Sequence, residues 1–372
     1  MIRAHKIRLH PTPEQEVYCK KTAGTARFTY NWGLAQWKTM HAVHPGVDYG
    51  VMAAKKDFNR LKPEQFPWVY DVAKDVAEGA FANLGVALKN YFNGQKGKRK
   101  GQKVGFPKFK SKKRSKLSFR LNNDNFTVDG HHIRIPKLGW VNMAEALRLQ
   151  GKILGAVVSK MADWWFVSIQ VEVEQPPPMH LTHASVGVDL GIKTLATLSD
   201  GTQYDNQALL RRDLKKLRTL SRSLSRRQQG SHRWWKAKMK LARFHACIKH
   251  TRQDYAHKMT TAIARTYRLI GVEDLNVKGM GKNRRLALSI ADAALGDIVR
   301  QLAYKAAWFG GQVVKVGRFF ASSKTCADCG HVNQELTLAD RVWLCTGCGS
   351  VHDRDWNAAK NIEAEALRLV EA

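Results

Sequence analysis

The hydrophobic positions of the first part of the chain predict a strand followed by three helices. Apolar and basic side chains alternate over residues 2–9, which is typical of a strand. Thr12 and Gln15, with a proline between them, form a capping-box pattern that opens a helix reaching His41. Further helices are predicted over 51–61 and 72–92. The pattern indicates a helical subdomain, 11–93, inserted after a single strand.

The positions that follow predict short strands separated by turn residues. Asp129-Gly130 and Ala162-Asp163 suit the turns of hairpins. Candidate strands cover 117–121, 125–128, 133–135, 152–161 and 164–173. Together with the first strand, these segments are expected to close a small β-barrel.

A glutamine and three prolines at 175–178 predict a linker, and a different pattern begins after it. An apolar strand ends at Asp189, and 194–198 provides the second arm of a hairpin. A second apolar strand ends at Glu273. A helix over 290–308 and a strand over 312–316 follow. This half of the chain is therefore expected to be α/β.

Composition and charge point to a polyanionic partner. The 372 residues include 62 Lys and Arg against 31 Asp and Glu, which gives a formal charge of +31. Such a surplus indicates nucleic acid, with a ribosome-like structural role or an anionic membrane surface as alternatives. The sequence has no N-terminal apolar region and no apolar run of transmembrane length, so it favours a cytoplasmic protein without a membrane partner.

Two segments concentrate the positive charge. Residues 94–116 hold 11 Lys and Arg and no acid, and 207–258 hold 16 Lys and Arg against two Asp in a helical pattern that breaks at 229–231. A solvated linker is the alternative for the first segment, but Phe106 and Phe109 interrupt its charges as in loops that grip phosphates and stack on bases. The candidate contacts are Lys98, Arg99, Lys100, Lys108, Lys110, Lys112, Lys113 and Arg114.

Four of the six cysteines form two CxxC pairs separated by 330–344. The pairs are Cys326 with Cys329 and Cys345 with Cys348, and this spacing is typical of a tetrahedral zinc site. Two disulfides or four free thiols are the alternatives. Disulfides would require an oxidising compartment, which no other feature of the sequence indicates.

Three acids are candidates for a second, oxygen-ligand site. Asp189 and Glu273 end apolar strands, and Asp355 begins a helical pattern on the same face as Ala358 and Ile362. Asp355 would then face the packed interface, where a carboxylate needs a cation, whereas Asp353 or Asp355 as a helix cap is the alternative. An RNase H-like fold gathers carboxylates in this way, and Mg²⁺ or Mn²⁺ suits such oxygen ligands.

The motifs VGVDLGIK, GVEDLN and CxxCG…CxxCGxxHDRDxNAAKNI resemble those of the TnpB proteins of insertion sequences, which are relatives of type V CRISPR effectors. The opening segment IRAHKIRLHPTPEQE and the later segment FPKFKSKKR extend the resemblance over nearly the whole chain. It implies a multidomain α/β protein: an N-terminal wedge-type β-barrel with a helical recognition insertion, then an RNase H-like (RuvC) nuclease domain with an inserted helical hairpin and zinc ribbon. The expected bounds are 1–10 and 94–174 (wedge), 11–93 (recognition), 175–184 (linker), 185–325 and 350–372 (nuclease), and 326–349 (ribbon, binding target nucleic acid).

The resemblance further implies an RNA-guided DNA endonuclease that uses a guide RNA from the transposon end and cuts target DNA beside a short flanking motif. Its catalytic and magnesium-binding residues would be Asp189, Glu273 and Asp355, with zinc as the second metal and no small-molecule cofactor. It would be a prokaryotic, nucleoid-associated protein. The alternatives are a catalytically silent RNA-guided repressor and a guide-independent DNA-binding factor of transposition. The segment VAKDVAEGAFANL, 72–84, departs from the family pattern, so the flanking motif does not follow from it.

Overall fold

The structure is a computed structural model that describes residues 1–47, 49–99, 104–174, 183–337 and 339–371. Its residues group into two compact units that divide after Glu174. Most of the predicted linker, 175–184, lies outside the described residues. None of the helices within these ranges is both long enough and apolar enough to cross a bilayer.

The first unit begins with strand β1 (Ile2–His10) and three helices, in the predicted order. The expected capping box is present: the Thr12 hydroxyl accepts from the Gln15 N–H, and the Gln15 side chain accepts from the Thr12 N–H. The second helix passes through Pro63, where the sequence predicted a break, and ends at Gln65; the N–H of the following Phe66 bonds to the Lys62 carbonyl at 3.1 Å, and its ring stacks on Phe58. The helices are α1 (Pro13–Val43), α2 (Val51–Gln65), a 3₁₀ turn (Pro67–Asp71) and α3 (Asp75–Gln95).

A seven-stranded antiparallel sheet completes this unit, in the order β2-β6-β7-β1-β5-β4-β3. Strand β1 lies in its middle, paired with β7 from Ile2 to Leu9 and with β5 at Leu9 and His10. The two ends of this order, β2 and β3, do not pair with each other within the described ranges. The strands are β2 (Ser118–Asn122), β3 (Thr127–Asp129), β4 (His132–Ile135), β5 (Gly139–Met143), β6 (Lys152–Met161) and β7 (Trp164–Glu172). Strand β5 was not predicted, because its glycine and asparagine are weak strand formers.

The second unit is built on a five-stranded mixed sheet, in the order β10-β9-β8-β11-β12. Strands β8, β11 and β12 are parallel to one another, and β9 and β10 form antiparallel hairpins beside β8. Gly187 lies opposite Gly271, and Val188 lies opposite Val272. The strands are β8 (His183–Asp189), β9 (Thr194–Leu198), β10 (Gln203–Asp205), β11 (Tyr267–Glu273) and β12 (Gln312–Val316).

Helices cover both faces of this sheet. Val188 and Val272 pack with α5 and α8 in one apolar core, whereas the C-terminal helix α9 crosses the opposite face. The predicted helix over 290–308 is in fact two helices, because Ala294 adopts a left-handed backbone with φ 52°. Asp292, just before this break, accepts hydrogen bonds from the Leu210 and Arg211 N–H groups in the first turn of α4. The helices are α4 (Leu209–Ser225), α5 (His232–Thr266), α6 (Val277–Met280), α7 (Ala287–Ala293), α8 (Leu295–Phe309) and α9 (Arg354–Glu371).

Helix α9 lies unusually close to the sheet because glycines occupy both strands beneath it. A Cβ atom on Gly187 would lie 1.9 Å from the Ala359 carbonyl oxygen, and one on Gly271 would lie 2.8 Å from the Ala366 Cβ. Only glycine in the strands and small residues on the helix permit this backbone-to-backbone approach. This close packing determines the distance between the first turn of α9 and the ends of β8 and β11.

Candidate metal centres and nucleic-acid surface

The four cysteines of the CxxC pairs converge in a small ribbon around strands β13 (Val342–Leu344) and β14 (Val351–Asp353). The Cys326 and Cys348 sulfurs are 3.7 Å apart, and those of Cys329 and Cys345 are 3.6 Å apart. All four lie within 4.8 Å of one another. A disulfide would need a sulfur separation of about 2.05 Å, so the structure contains no disulfide here. Tetrahedral zinc at about 2.3 Å from each sulfur would separate the sulfurs by about 3.8 Å, which fits.

The two halves of the ribbon have the same backbone design. The Gly330 N–H bonds to the Cys326 carbonyl at 2.9 Å, and the Gly349 N–H bonds to the Cys345 carbonyl at 2.9 Å. Both glycines have a left-handed backbone, with φ 76° and 78°. This conformation favours glycine over residues with a side chain, so the residue after each CxxC pair is part of the ligand geometry.

A residue that the sequence analysis missed also reaches the ribbon. The buried His352 ring places Nε2 3.0 Å from the Cys326 sulfur, and it packs against Trp343 with the ring centroids 5.0 Å apart. With Nε2 protonated, the histidine donates a hydrogen bond to the thiolate. His352 belongs to β14, three residues before Asp355, so the ribbon and the start of α9 are directly connected.

The acid candidates on β8 and β11 come together through strand register. Gly187 and Gly271 are paired on the face that α9 covers, and side chains two residues farther along a strand return to the same face. Asp189 and Glu273 are therefore neighbours at the carboxyl ends of parallel strands. Burial, followed by the charges of Glu273 and Asp355, raises the pKa of Asp189 to about 7.

Helix α9 separates the roles of the two aspartates in the motif. The Asp353 carboxylate accepts from the Trp356 N–H at 2.9 Å, which makes Asp353 the N-cap of α9. Asp355 lies in the first turn and contacts Arg341 of the ribbon at 3.4 Å and Arg354 at 3.5 Å. Its charge contributes to the raised pKa of Asp189, after the larger effects of burial and of Glu273. We call Asp189, Glu273 and Asp355 together the acid centre; within the described ranges, their carboxylate oxygens are not among the groups of ligand atoms that all lie within 4.8 Å of one another.

The acid centre has the donor chemistry of a site for a hard divalent cation. Its ligand atoms are carboxylate oxygens, which Mg²⁺ and Mn²⁺ prefer, and it contains no thiol or imidazole among the three. Burial and the charges of Glu273 and Asp355 raise the pKa of Asp189, so a bound cation would favour the ionised form of that carboxyl group. Sequence analysis did not identify Ser322, whose hydroxyl donates to Glu273 Oε1 at 2.6 Å, or Arg341. One sequence signal was available: Asn357 and Asn361 are polar residues at positions i and i+4 on an otherwise apolar helix face, which indicates that this face forms buried hydrogen bonds.

The first basic segment is partly anchored to helix α1. The Lys110 backbone forms two hydrogen bonds with the Asn31 side chain, at 2.8 and 2.9 Å, and its ammonium lies 3.7 Å from the Tyr30 ring centroid. Burial lowers the pKa of Lys110. Phe106 packs against Trp37, so this aromatic side chain anchors the segment. Of the other candidate contacts, Lys98, Arg99, Lys108, Lys112, Lys113 and Arg114 are exposed, and Lys100 lies outside the described residues.

The second basic segment forms the antiparallel pair α4 and α5, as its helical pattern predicted. Leu217 and Ile248 form the buried contact between the two helices. Because the apolar side chains face inward, arginines such as Arg222, Arg226 and Arg227 are left on the surface. The surface of this helix pair therefore presents positive charge to any polyanion.

Comparison with protein families finds three matching profiles along the chain. The profile of the IS605 OrfB family, described as a probable transposase, matches residues 168–284. A Cas12f1-like TNB domain matches 296–362, which includes the ribbon and the first half of α9. A profile described as a helix-turn-helix domain matches 1–44, which in this structure are β1 and α1.

Comparison with curated proteins finds relatives that span almost the whole chain. One is "Putative RNA-guided DNA endonuclease InsQ" of Escherichia coli (strain K12), which is 33% identical over 98% of this chain and 92% of its own length. Another is "Putative RNA-guided DNA endonuclease" of Streptomyces pristinaespiralis, which is 34% identical over 98% of this chain and 89% of its own length. The solved structure of the mini-RNA-guided endonuclease CRISPR-Cas_phi3 covers 99% of this chain and 92% of its own at 9% identity, with a TM-score of 0.51, which is a likeness of fold alone.

Proposed function

The chain belongs to the TnpB family, which includes the IS605 OrfB proteins, and from that premise we propose that it is an RNA-guided DNA endonuclease of an insertion sequence. The observation that carries the proposal is the acid centre. Strand register supports a position of Asp189 beside Glu273, and the close approach of α9 supports Asp355 as the third carboxylate. This is the arrangement that a metal-dependent phosphodiester hydrolase requires.

We assign the second unit to a RuvC-like nuclease, 185–325 and 350–372, with the zinc ribbon 326–349 inserted. The strand order with three parallel strands and an antiparallel hairpin supports an RNase H-like sheet. We assign the first unit to a wedge-like part, 1–10 and 94–174, and a recognition part, 11–93. The antiparallel sheet with the helices α1 to α3 following β1 supports this division.

The acid centre would hold Mg²⁺ or Mn²⁺ through Asp189, Glu273 and Asp355, and the ribbon would hold Zn²⁺ through its four cysteines. When bound, two divalent cations activate water and stabilise the leaving oxygen of a phosphodiester. The contribution of this chain is to fix the three carboxylates on rigid elements and to exclude bulk water from Asp189, which burial disfavours in its charged form. Asp353 has a different role, because its carboxylate caps α9 and so orients the turn that carries Asp355.

The partners are a guide RNA, which we propose comes from the transposon end, and a target DNA, met at the nucleoid. The excess of 31 positive charges would serve backbone phosphates, whereas pairing with the guide would supply sequence recognition. Lys108, Lys112 and Lys113 are exposed and available for phosphates. Lys110 is held against Tyr30, so its first role is to anchor the segment.

A catalytically silent repressor on the same scaffold is not favoured, because all three acidic residues of the motifs are intact. The relatives carry the name of an endonuclease, which also argues against a guide-independent transposition factor.

The test is to purify the protein from cells that carry its own insertion sequence and to sequence the RNA that copurifies. A guide made from that RNA should direct Mg²⁺-dependent cleavage of matching DNA that bears a library of flanking sequences. If no specific RNA copurifies and the DNA is bound without cleavage, the guide-independent factor is the better description.

A further inference from the structure

A buried serine outside the three acids forms a hydrogen bond with Glu273. On the basis of the proposed function, we propose that Ser322 is a positioning residue that orients the Glu273 carboxylate for a divalent cation. The Ser322 hydroxyl donates to Glu273 Oε1 at 2.6 Å, and Ser322 is only 4% exposed. A hydrogen bond to an ionised carboxylate is short and strong, so it holds one oxygen of a side chain that otherwise rotates about three bonds.

Ser322 is itself held in place by two asparagines of helix α9. Asn361 donates to the Ser322 carbonyl at 2.7 Å and to the Thr325 carbonyl at 2.6 Å. Asn357 donates to the same Thr325 carbonyl at 2.7 Å and accepts from the Ala327 N–H at 2.9 Å. Asn357 is 1% exposed and Asn361 is 7% exposed, so both side-chain amides need hydrogen-bond partners within the protein.

This network connects two of the three carboxylates through one helix. Asn357 lies two residues after Asp355 on α9. The segment 322–327, to which Asn357 and Asn361 are hydrogen-bonded, contains both Ser322 and the first ribbon cysteine. A shift of α9 or of the ribbon would therefore move the Ser322 hydroxyl and, through it, Glu273. Groups that hydrogen-bond to metal ligands in this way typically change metal affinity or activity by about 10- to 100-fold when they are removed.

The test uses the full-length protein with its guide RNA and Mn²⁺ as the probe, measured by electron paramagnetic resonance. The Asp189→Ala/Glu273→Ala/Asp355→Ala complex provides the background of Mn²⁺ bound to RNA. We expect Ser322→Ala to raise the half-saturating Mn²⁺ concentration about tenfold, in binding and in target cleavage alike. Ser322→Thr keeps a hydroxyl and should recover most of that loss. Zinc content and thermal unfolding temperature should stay at the wild-type values.

Ser323→Ala is the matched control, because this neighbouring hydroxyl bonds to none of the three carboxylates within the described ranges. It should leave Mn²⁺ binding and cleavage unchanged. In the Glu273→Gln background, Ser322→Ala should cause no further loss, since the carboxylate through which it acts has gone. If Ser322→Ala behaves like Ser323→Ala, or if its effect persists without Glu273, the inference is wrong. If Glu273→Gln alone changes neither Mn²⁺ binding nor cleavage, the proposed function fails as well.

Discussion

The zinc ribbon and the acid centre lie side by side, but the chain builds them in opposite ways. The four sulfurs come from two CxxC pairs within residues 326–348, and each pair is shaped by its own glycine turn. The three residues of the acid centre come from two strands and a helix that are far apart in sequence, and their assembly into one site depends on sheet register and on the approach of α9. The ribbon is therefore a locally encoded site, whereas the acid centre is a property of the whole second unit.

The two sites also differ in their relation to stability. Zinc binding to four thiolates is expected to drive the ribbon to fold. The acid centre works against folding when no cation is bound, because burial and neighbouring charges raise the pKa of Asp189 from 3.8 to about 7. The folded state then holds a proton that the unfolded state has released between these pH values, so stability falls as pH rises through that window. Zinc binding therefore favours folding of the ribbon, whereas a divalent cation at the acid centre would offset the unfavourable burial of the charged Asp189.

The largest expected effect is the loss of the ribbon. Cys326→Ser or Cys345→Ser should release zinc, because binding worth about 10 kcal/mol or more is coupled to folding of the ribbon. Metal analysis and limited proteolysis of the C-terminal region measure this. Cys247→Ser is the matched control, since this cysteine is exposed on α5 and should retain full zinc. Native protein with far less than one zinc per chain would contradict the assignment.

The next largest effect concerns the acid centre. Asp355→Ala, Asp189→Ala and Glu273→Ala should each reduce target cleavage by at least about 1,000-fold, while guide and target binding stay near normal, because the carboxylates act on the transition state and not on the phosphate backbone. Asp353→Ala removes only a helix cap, worth about 1 kcal/mol, and should keep measurable cleavage. If Asp355→Ala cuts the target and Asp353→Ala does not, Asp353 is the metal ligand and Asp355 is not.

This comparison explains what the sequence could predict. The CxxC spacing specifies a zinc ribbon without knowledge of the fold, and the strand ends at Asp189 and Glu273 were visible as apolar runs that stop at an acid. Their register was not visible, and neither was the hydrogen bond from Ser322, because both depend on pairings across many residues. The division of one predicted helix at Ala294 was missed for a related reason: alanine is a strong helix former, so its left-handed backbone at this position was not visible in the sequence.

A smaller effect should follow when the approach of α9 is obstructed. Gly187→Ala would place a methyl group 1.9 Å from the Ala359 carbonyl oxygen, so the helix must move away, at a cost of about 3 kcal/mol. Chemical denaturation should show this loss, and cleavage should fall with it because Asp355 moves with the helix. Gly296→Ala in α8 is the matched control: a Cβ there meets nothing within 4 Å, and stability should be unchanged or slightly higher. Equal stability of Gly187→Ala and wild type would mean that α9 does not need this contact.

The smallest expected effect tests whether the ribbon is wholly local. His352 lies outside the CxxC pairs, yet its Nε2 is 3.0 Å from the Cys326 sulfur, and a hydrogen bond to a thiolate ligand stabilises the charge that zinc requires. His352→Ala should therefore weaken zinc binding about tenfold, measured by competition with a chelator, without preventing the ribbon from folding at saturating zinc. His331→Ala provides the comparison, because His331 bonds through its ring to the exposed Thr346 hydroxyl and should change zinc affinity less. If the two variants bind zinc equally well, the cysteines alone set the affinity, and the connection from β14 to α9 serves packing only.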